Sequence, residues 1–378
     1  MNRKKAYLIF LLAFLILISG IQLAPVVAGI TYKDFYVLAG KKTPFGRNLS
    51  LRDAEDLKFF KKTYLANYSE KAKQKKGVII PKVIHYIWLG PKEFPSKSID
   101  YISSWVQHHP DWSFIFWTDD QERTVPHPKM EKRLISDLAS PFLSTYYERS
   151  DNFGEKSDLI RYEILYRQGG LYVDHDIECY QSFSSLASSV DFFAGLEPMY
   201  KDIGIDTRVF PSNALIGTRP FHPVLLKTIE LVQDRWKEVD DAFPGKDARS
   251  CTLKVLHRTL YSFMLATKEG VNLHSNKDVI FPASFFYPDR ITTKKTFDLW
   301  RSKNLILASH KSAGIWKPKN DQPIPMNEVA VLKAKNKALM KKYKNAKILL
   351  YCNFLACGVC LYFILKGFFV RKGSGFSR

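Results

Sequence analysis

The sequence predicts an α/β fold built on a Rossmann-like, nucleotide-binding sheet, with an apolar membrane segment at each end. Three observations carry that expectation. Strand-like and helix-like runs alternate between Pro81 and Asp120. A helix, a glycine pair, a short apolar strand and two aspartates follow one another between Ser157 and Asp176. Two uncharged apolar runs, 6–24 and 348–365, stand near the ends. Alternation of this kind marks a sheet covered by helices. A length of 378 residues with 46% hydrophobic content supports one large domain with appendages.

The chain is therefore divided as follows. Residues 1–29 form an N-terminal membrane anchor, 30–79 a stem and lead-in, and 80–320 the main domain. A basic juxtamembrane helix spans 321–347, a C-terminal membrane segment 348–370, and a tail 371–378. Arg3, Lys4 and Lys5 precede the first apolar run, whose 19 residues nearly match a bilayer's hydrocarbon thickness. It is a signal anchor or a signal peptide cleaved near Ala28, and the length of the run favours the anchor. Asn48-Leu49-Ser50 and Asn67-Tyr68-Ser69 fit the glycosylation acceptor pattern.

Pro81 to Gly90 reads as the first strand, with His85 as a structural residue within it. Ser98 to His109 reads as a helix, with Ile99, Ile102, Trp105 and Val106 on one face. Trp112 to Trp117 is the next strand, and Asp119 and Asp120 at its end are loop or helix-capping groups, or hold nucleotide. Met130 to Tyr147 is less regular and is expected to cover the site. Leu159 to Arg167 has helical spacing, and Gly169-Gly170 ends it, since glycine tolerates the left-handed cap conformation. Leu171-Tyr172-Val173 is a short buried strand. Asp174 and Asp176 follow, and in an extended chain residues i and i+2 share a side. Both carboxylates then approach one hard divalent cation, of the kind that also binds substrate phosphates. Further on, 191–195 and 210–217 read as strands, and 220–239 and 251–267 as helices.

The pattern Ser157-Asp158-x-x-Arg161-Tyr162, then Gly169-Gly170-x-Tyr172-x-Asp174-x-Asp176, resembles glycosyltransferase family 32. It is more distantly similar to the glucosyltransferase domain of large clostridial toxins. The resemblance covers roughly residues 80–318. It implies a GT-A type fold and retaining transfer of a hexose, mannose favoured, from a nucleotide sugar. In that pattern Asp158 and Arg161 contact the donor sugar, and Asp174 and Asp176 hold the diphosphate through a divalent cation, Mn2+ favoured and Mg2+ the alternative. Ile87-Trp88-x-Gly90 resembles the family's opening motif, so Trp88 stacks on the nucleotide base or is a core ring. Asn213, in Ser212-Asn213-x-x-x-Gly217, faces the reacting sugar or braces a loop. His310, followed by Gly314-x-Trp316, supplies a further metal ligand or a phosphate contact, or is a structural histidine. Lys311 and Ile315 depart from the family's paired His and Ser, and Lys311 would act on phosphate as a point charge; Trp316 belongs to the same nucleotide subsite.

The acceptor implied is a lipid or glycan; the second anchor favours a lipid, and fungal members of the family with two membrane segments use an inositol-containing sphingolipid. A toxin-like transferase acting on protein and a non-catalytic membrane scaffold are the alternatives. Localisation is expected at a membrane: the Golgi or secretory pathway with a lumenal domain in a eukaryote, the inner membrane in a bacterium. The net charge of +20 raises nucleic acid as a partner. Seven lysines between Lys333 and Lys347, directly before an apolar run, suit an anionic membrane instead, and no nucleic-acid-binding motif is present. Cys179 and Cys251 are the two cysteines of the domain, and their pairing is open.

Overall fold

The computed structural model describes residues 30–43, 46–68, 79–138, 142–199 and 207–312. All of these belong to one unit of the chain. The apolar runs 6–24 and 348–365, the basic helix over 328–347 and Trp316 lie outside the described residues. Among the described residues no helix is long and apolar enough to cross a membrane.

The strands are β1 (Val83–Trp88), β2 (Ser113–Thr118), β3 (Met130–Leu134), β4 (Gly170–Val173), β5 (Ile177–Cys179), β6 (Phe192–Leu196), β7 (Pro211–Thr218), β8 (Asp278–Phe281) and β9 (Ala308–His310). The longer helices are α1 (Leu51–Asn67), α2 (Ser96–His108), α3 (Phe153–Gln168), α4 (Pro223–Ala242), α5 (Ala248–Arg258), α6 (Leu260–Gly270) and α7 (Lys294–Ser302).

Seven strands form one mixed sheet in the order β3-β2-β1-β4-β7-β6-β8. β1 pairs in parallel with β2 and β4, β2 with β3, and β6 with β8. Only β7 runs against its neighbours. The carboxyl ends of β1, β2, β4 and β6 and the amino end of β7 therefore lie along one edge. Ligands of open α/β sheets bind outside such an edge, where the strand order reverses; here that point lies between β1 and β4.

The central strands are apolar on both faces because helices cover both. β4 is buried at every residue, as is β6. α3 and α6 pack on α4, and α1 packs on β8. The stretch read as a stem is thus part of the domain: Leu57, Phe60 and Tyr64 of α1 are in the core, and Asn67 Nδ2 donates to the carbonyl of Asp278 at 2.8 Å. The stretch from Met130 was expected to be irregular. It begins with the parallel edge strand β3, whose Glu131 and Lys132 are exposed. An edge strand with one buried residue leaves no alternating pattern to read.

The helix expected over 251–267 is two helices, α5 and α6, broken at Thr259 (φ −101°, ψ −73°). α3 begins at an Asn152 cap and ends as the glycines require. Gly169 has φ +64° and Gly170 φ +92°. A Cβ on Gly170 would sit 2.6 Å from the Val83 carbonyl oxygen. Glycine is therefore needed both for the turn and for the close approach to β1.

Candidate active site

Asp174 leaves the end of β4 with its N–H bonded to the carbonyl of Ala214 on β7 (2.9 Å). The chain then turns, Ile177 N–H returning to the carbonyl of Asp174 (3.2 Å). The two aspartates come together through this turn and not through an extended strand. β5 follows and pairs antiparallel with β9, with Ile177 opposite His310. That pairing brings a histidine from the far end of the domain onto the aspartates. Ligand atoms of Asp174, Asp176 and His310 all lie within 4.8 Å of one another. His310 Nε2 is 3.1 Å from Asp176 Oδ1 and 3.8 Å from Asp174 Oδ2.

Burial would pull the His310 pKa down, but the hydrogen bond and charge of Asp176, then the charges of Asp174 and Glu197, outweigh it and raise it. The cluster thus holds a positive charge strongly. Two carboxylate oxygens and an imidazole nitrogen are also a donor set that suits Mn2+ or a similar divalent ion. Such a cation would displace the imidazole proton, so its affinity would fall with pH. The residues present fit a divalent cation held by Asp174, Asp176 and His310.

Arg161, on the buried face of α3, lies beside the cluster. Its Nη2 is 2.8 Å from Asp158 Oδ1 and 3.4 Å from Asp174 Oδ1. Its Nη1 donates to the carbonyl of Asn213 (2.8 Å), and the guanidinium lies 4.0 Å from the Tyr172 ring centroid. Tyr172 OH donates to Asp174 Oδ1 (2.6 Å). Asp158 is raised in pKa because burial outweighs the attraction of Arg161 and the Thr259 hydrogen bond. Thr259 Oγ1 donates to Asp158 Oδ2 at 2.6 Å, so the break between α5 and α6 is what delivers it.

The remaining candidates fall in different places. Asn213 Nδ2 donates to Tyr162 OH (2.8 Å), so its amide and carbonyl both brace α3. Trp88 is buried, with its indole N–H on the carbonyl of Lys92 (2.8 Å) and its ring edge-on to Phe94 at 5.1 Å and to His175 at 5.0 Å. It therefore buttresses the aspartate turn. Asp119 accepts the Gly90 N–H with both oxygens, at 3.0 and 2.9 Å, which is the loop role: it pins the turn after β1. Lys311 is not directed at the cluster. Its ammonium pairs with Asp289 (2.9 Å) and Glu178 (3.2 Å), while its backbone N–H bonds the carbonyl of Asp176 (2.9 Å). His85 is fully buried, accepting from Trp117 Nε1 and hydrogen-bonded to the carbonyl of Gly169. Cys179 and Cys251 are both free thiols.

Sequence reasoning missed Tyr172, Thr259, His175 and Glu197. His175 Nδ1 is hydrogen-bonded to Ser98 Oγ (2.8 Å). Tyr172 lies in the motif itself, and only its spacing two residues before Asp174 hinted at a contact. Thr259 and Glu197 reach the site by tertiary folding, with no local signal. Two surface cavities, of about 490 and 630 Å3, are lined by none of the cluster residues.

Residues 95–193 match the family described as a glycosyltransferase sugar-binding region containing a DXD motif. Inositol phosphoceramide mannosyltransferase 3 of Schizosaccharomyces pombe is 28% identical over 162 residues, which are 43% of this chain and 40% of that protein. Inositol phosphoceramide mannosyltransferase 1 of the same organism is 31% identical over 153 residues, 40% of this chain and 42% of that protein. The chain thus spans about two fifths of the length of these curated relatives. The solved structure titled PaToxG Glycosyltransferase is 18% identical, with a TM-score of 0.41 over 66% of this chain and 85% of that one.

Proposed function

We propose that this chain, which carries a glycosyltransferase sugar-binding region, is a metal-dependent retaining hexosyltransferase of GT-A type. It moves a hexose, mannose favoured, from a nucleotide sugar to a lipid acceptor, an inositol-containing sphingolipid. The observation that carries the reading is the juxtaposition of Asp174, Asp176 and His310 with the Asp158–Arg161 pair at the carboxyl edge of the sheet. When bound, the cation would supply Lewis-acid stabilisation of charge on the leaving diphosphate. Arg161, held by two carboxylates, presents fixed positive charge beside it, and a preorganised charge costs no rearrangement during reaction. Asp158, fixed by Arg161 and Thr259, is placed to grip sugar hydroxyls and so orient the anomeric carbon.

The names of the inositol phosphoceramide mannosyltransferases support the choice of mannose and of a ceramide-bearing acceptor. Attachment to a membrane through the apolar runs 6–24 and 348–365 is part of the same reading, with the domain lumenal in a Golgi or secretory compartment of a eukaryote. The test is a screen of purified protein against a panel of nucleotide sugars with inositol phosphoceramide in mixed micelles, with and without Mn2+. The reading requires metal-dependent consumption of one donor and a mannosylated lipid product. Intact protein that binds neither Mn2+ nor any donor would instead be a scaffold.

A further inference from the structure

Glu197 follows the end of β6, on the same edge of the sheet as Asp174. Its N–H is bonded to the carbonyl of Phe210 (3.0 Å), just before β7 begins. The sheet order places β7 and then β6 beyond β4, on the side away from β1. A nucleotide lodged where the order reverses, between β1 and β4, leaves the β7–β6 end of this edge free for the second substrate.

The polar groups there are already arranged. Tyr287 OH donates to Ser212 Oγ, and both hydroxyls stand beside the Glu197 carboxylate. The Tyr287 ring packs against His310 with centroids 5.3 Å apart. Glu197 also feels the charges of His310 and Asp174, so it belongs to the same electrostatic site. It is outside the metal cluster. No lysine or arginine among the described residues pairs with it, whereas Asp158 is matched by Arg161. Glu197 is partly exposed. With the Tyr287 hydrogen given to Ser212, the Ser212 hydroxyl is left to donate to Glu197, and a carboxylate with about four acceptor sites keeps capacity for more. A partly buried carboxylate with spare lone pairs and no cation is suited to the hydroxyl groups of a polyol.

We infer that Glu197, fixed by Ser212 and Tyr287, is the acceptor-binding residue, taking hydrogen bonds from hydroxyls of a polyol ring such as a sugar or inositol. This rests on the glycosyltransfer reading above. It assigns the acceptor's place to the β7–β6 end of the edge and the donor's to the β1–β4 end.

The test compares wild type with Glu197→Gln and Tyr287→Phe, using the donor found in the screen and inositol phosphoceramide in mixed micelles. Glu197→Gln replaces a charge-assisted hydrogen bond by a neutral one, so the acceptor KM rises roughly 10-fold or more. The donor KM, and the Kd of nucleoside diphosphate with Mn2+ measured by calorimetry, stay within about twofold. Tyr287→Phe, which leaves the carboxylate but loosens it, shifts the acceptor KM in the same direction by less. A parallel loss of nucleotide affinity would place Glu197 at the donor and overturn the inference. So would a fall in kcat with the acceptor KM unchanged, or unchanged kinetics in both variants. Wild-type protein that transfers nothing under any condition would overturn the glycosyltransfer reading itself, and this assignment with it.

Discussion

Arg161 joins more of the site than any motif reading of it suggested. The guanidinium neutralises Asp158, leans on Asp174, bonds the Asn213 carbonyl and stacks on Tyr172. Arg161→Ala leaves the half-buried Asp158 without its cation, and breaking such a pair costs up to about 3–5 kcal/mol. We expect that variant to lose stability as well as donor use, read as a lowered thermal transition. Arg161→Lys keeps the charge but not the planar fork, so it should lose donor use with a smaller drop in the transition. Equal transitions for both variants would show that the pairing contributes little to the fold. Asp176 differs, because among the described residues it pairs with an imidazole and not with a guanidinium. Asp176→Asn should remove Mn2+-dependent turnover while moving the thermal transition by no more than a few degrees. A loss of folding on the same scale as Arg161→Ala would make Asp176 a structural residue.

Among elements, the β4 strand is the one whose placement sets all others. It is inserted between β1 and β7, and it is entered through two glycines with positive φ, Gly169 before it and Gly170 as its first residue. Gly170→Ala forces an alanine into a left-handed conformation against the Val83 carbonyl. A cost of about 1–3 kcal/mol follows from the backbone strain alone, and the crowding adds to it. A urea midpoint unchanged by this substitution would contradict the geometry. The break at Thr259 makes a second prediction. Thr259→Val keeps the shape but removes the hydroxyl from Asp158, and loss of a hydrogen bond to a charged group costs about 1.5–3 kcal/mol. Its effect should appear in donor KM together with a modest loss of stability, and an unaltered donor KM would remove Thr259 from the site.

These elements show what could be read in advance and what could not. Helix, glycine pair, strand and aspartates were legible because each is fixed by local rules of periodicity, capping and chirality. The union of His310 with the aspartates was legible only through resemblance, since it depends on β9 returning to β5. Helix α1 looked like a stem because its basic outer face hides a buried stripe of Leu57, Phe60 and Tyr64. β3 was invisible because Met130 is its one buried residue, which leaves no alternation to read. Lys311 was read as a phosphate contact from its place beside His310, but the neighbouring side chain points to Asp289 and Glu178. Glu197 could not be found, because nothing in the order of residues tells which strand end lies two strands from Asp174.

At the scale of the whole molecule, a basic chain folds so that one edge of its sheet collects acid. Among the described residues, Asp158, Asp174, Asp176 and Glu197 gather there around Arg161 and the His310 imidazole, a concentration of acid that suits a divalent cation. Away from that edge burial holds two core histidines neutral near neutral pH. Burial lowers the pKa of His85 to about 4, and of His109 to about 4. In the unfolded chain both return to an ordinary value near 6.5. The unfolded state then binds more protons between those values, so stability is complete above about pH 6.5 and declines as pH falls toward 4. The slope approaches roughly 1.4 kcal/mol per pH unit for each histidine. Urea midpoints taken across that interval check this, and a flat profile would mean that both rings are protonated without cost.

The central claim is that two aspartates and a histidine hold one ion, and through it a nucleoside diphosphate. Calorimetric titration of a nucleoside diphosphate into wild-type protein and into Asp176→Asn, each with and without Mn2+, tests it most directly. The account predicts binding that needs both the metal and Asp176. Equal affinity in all four titrations would contradict it.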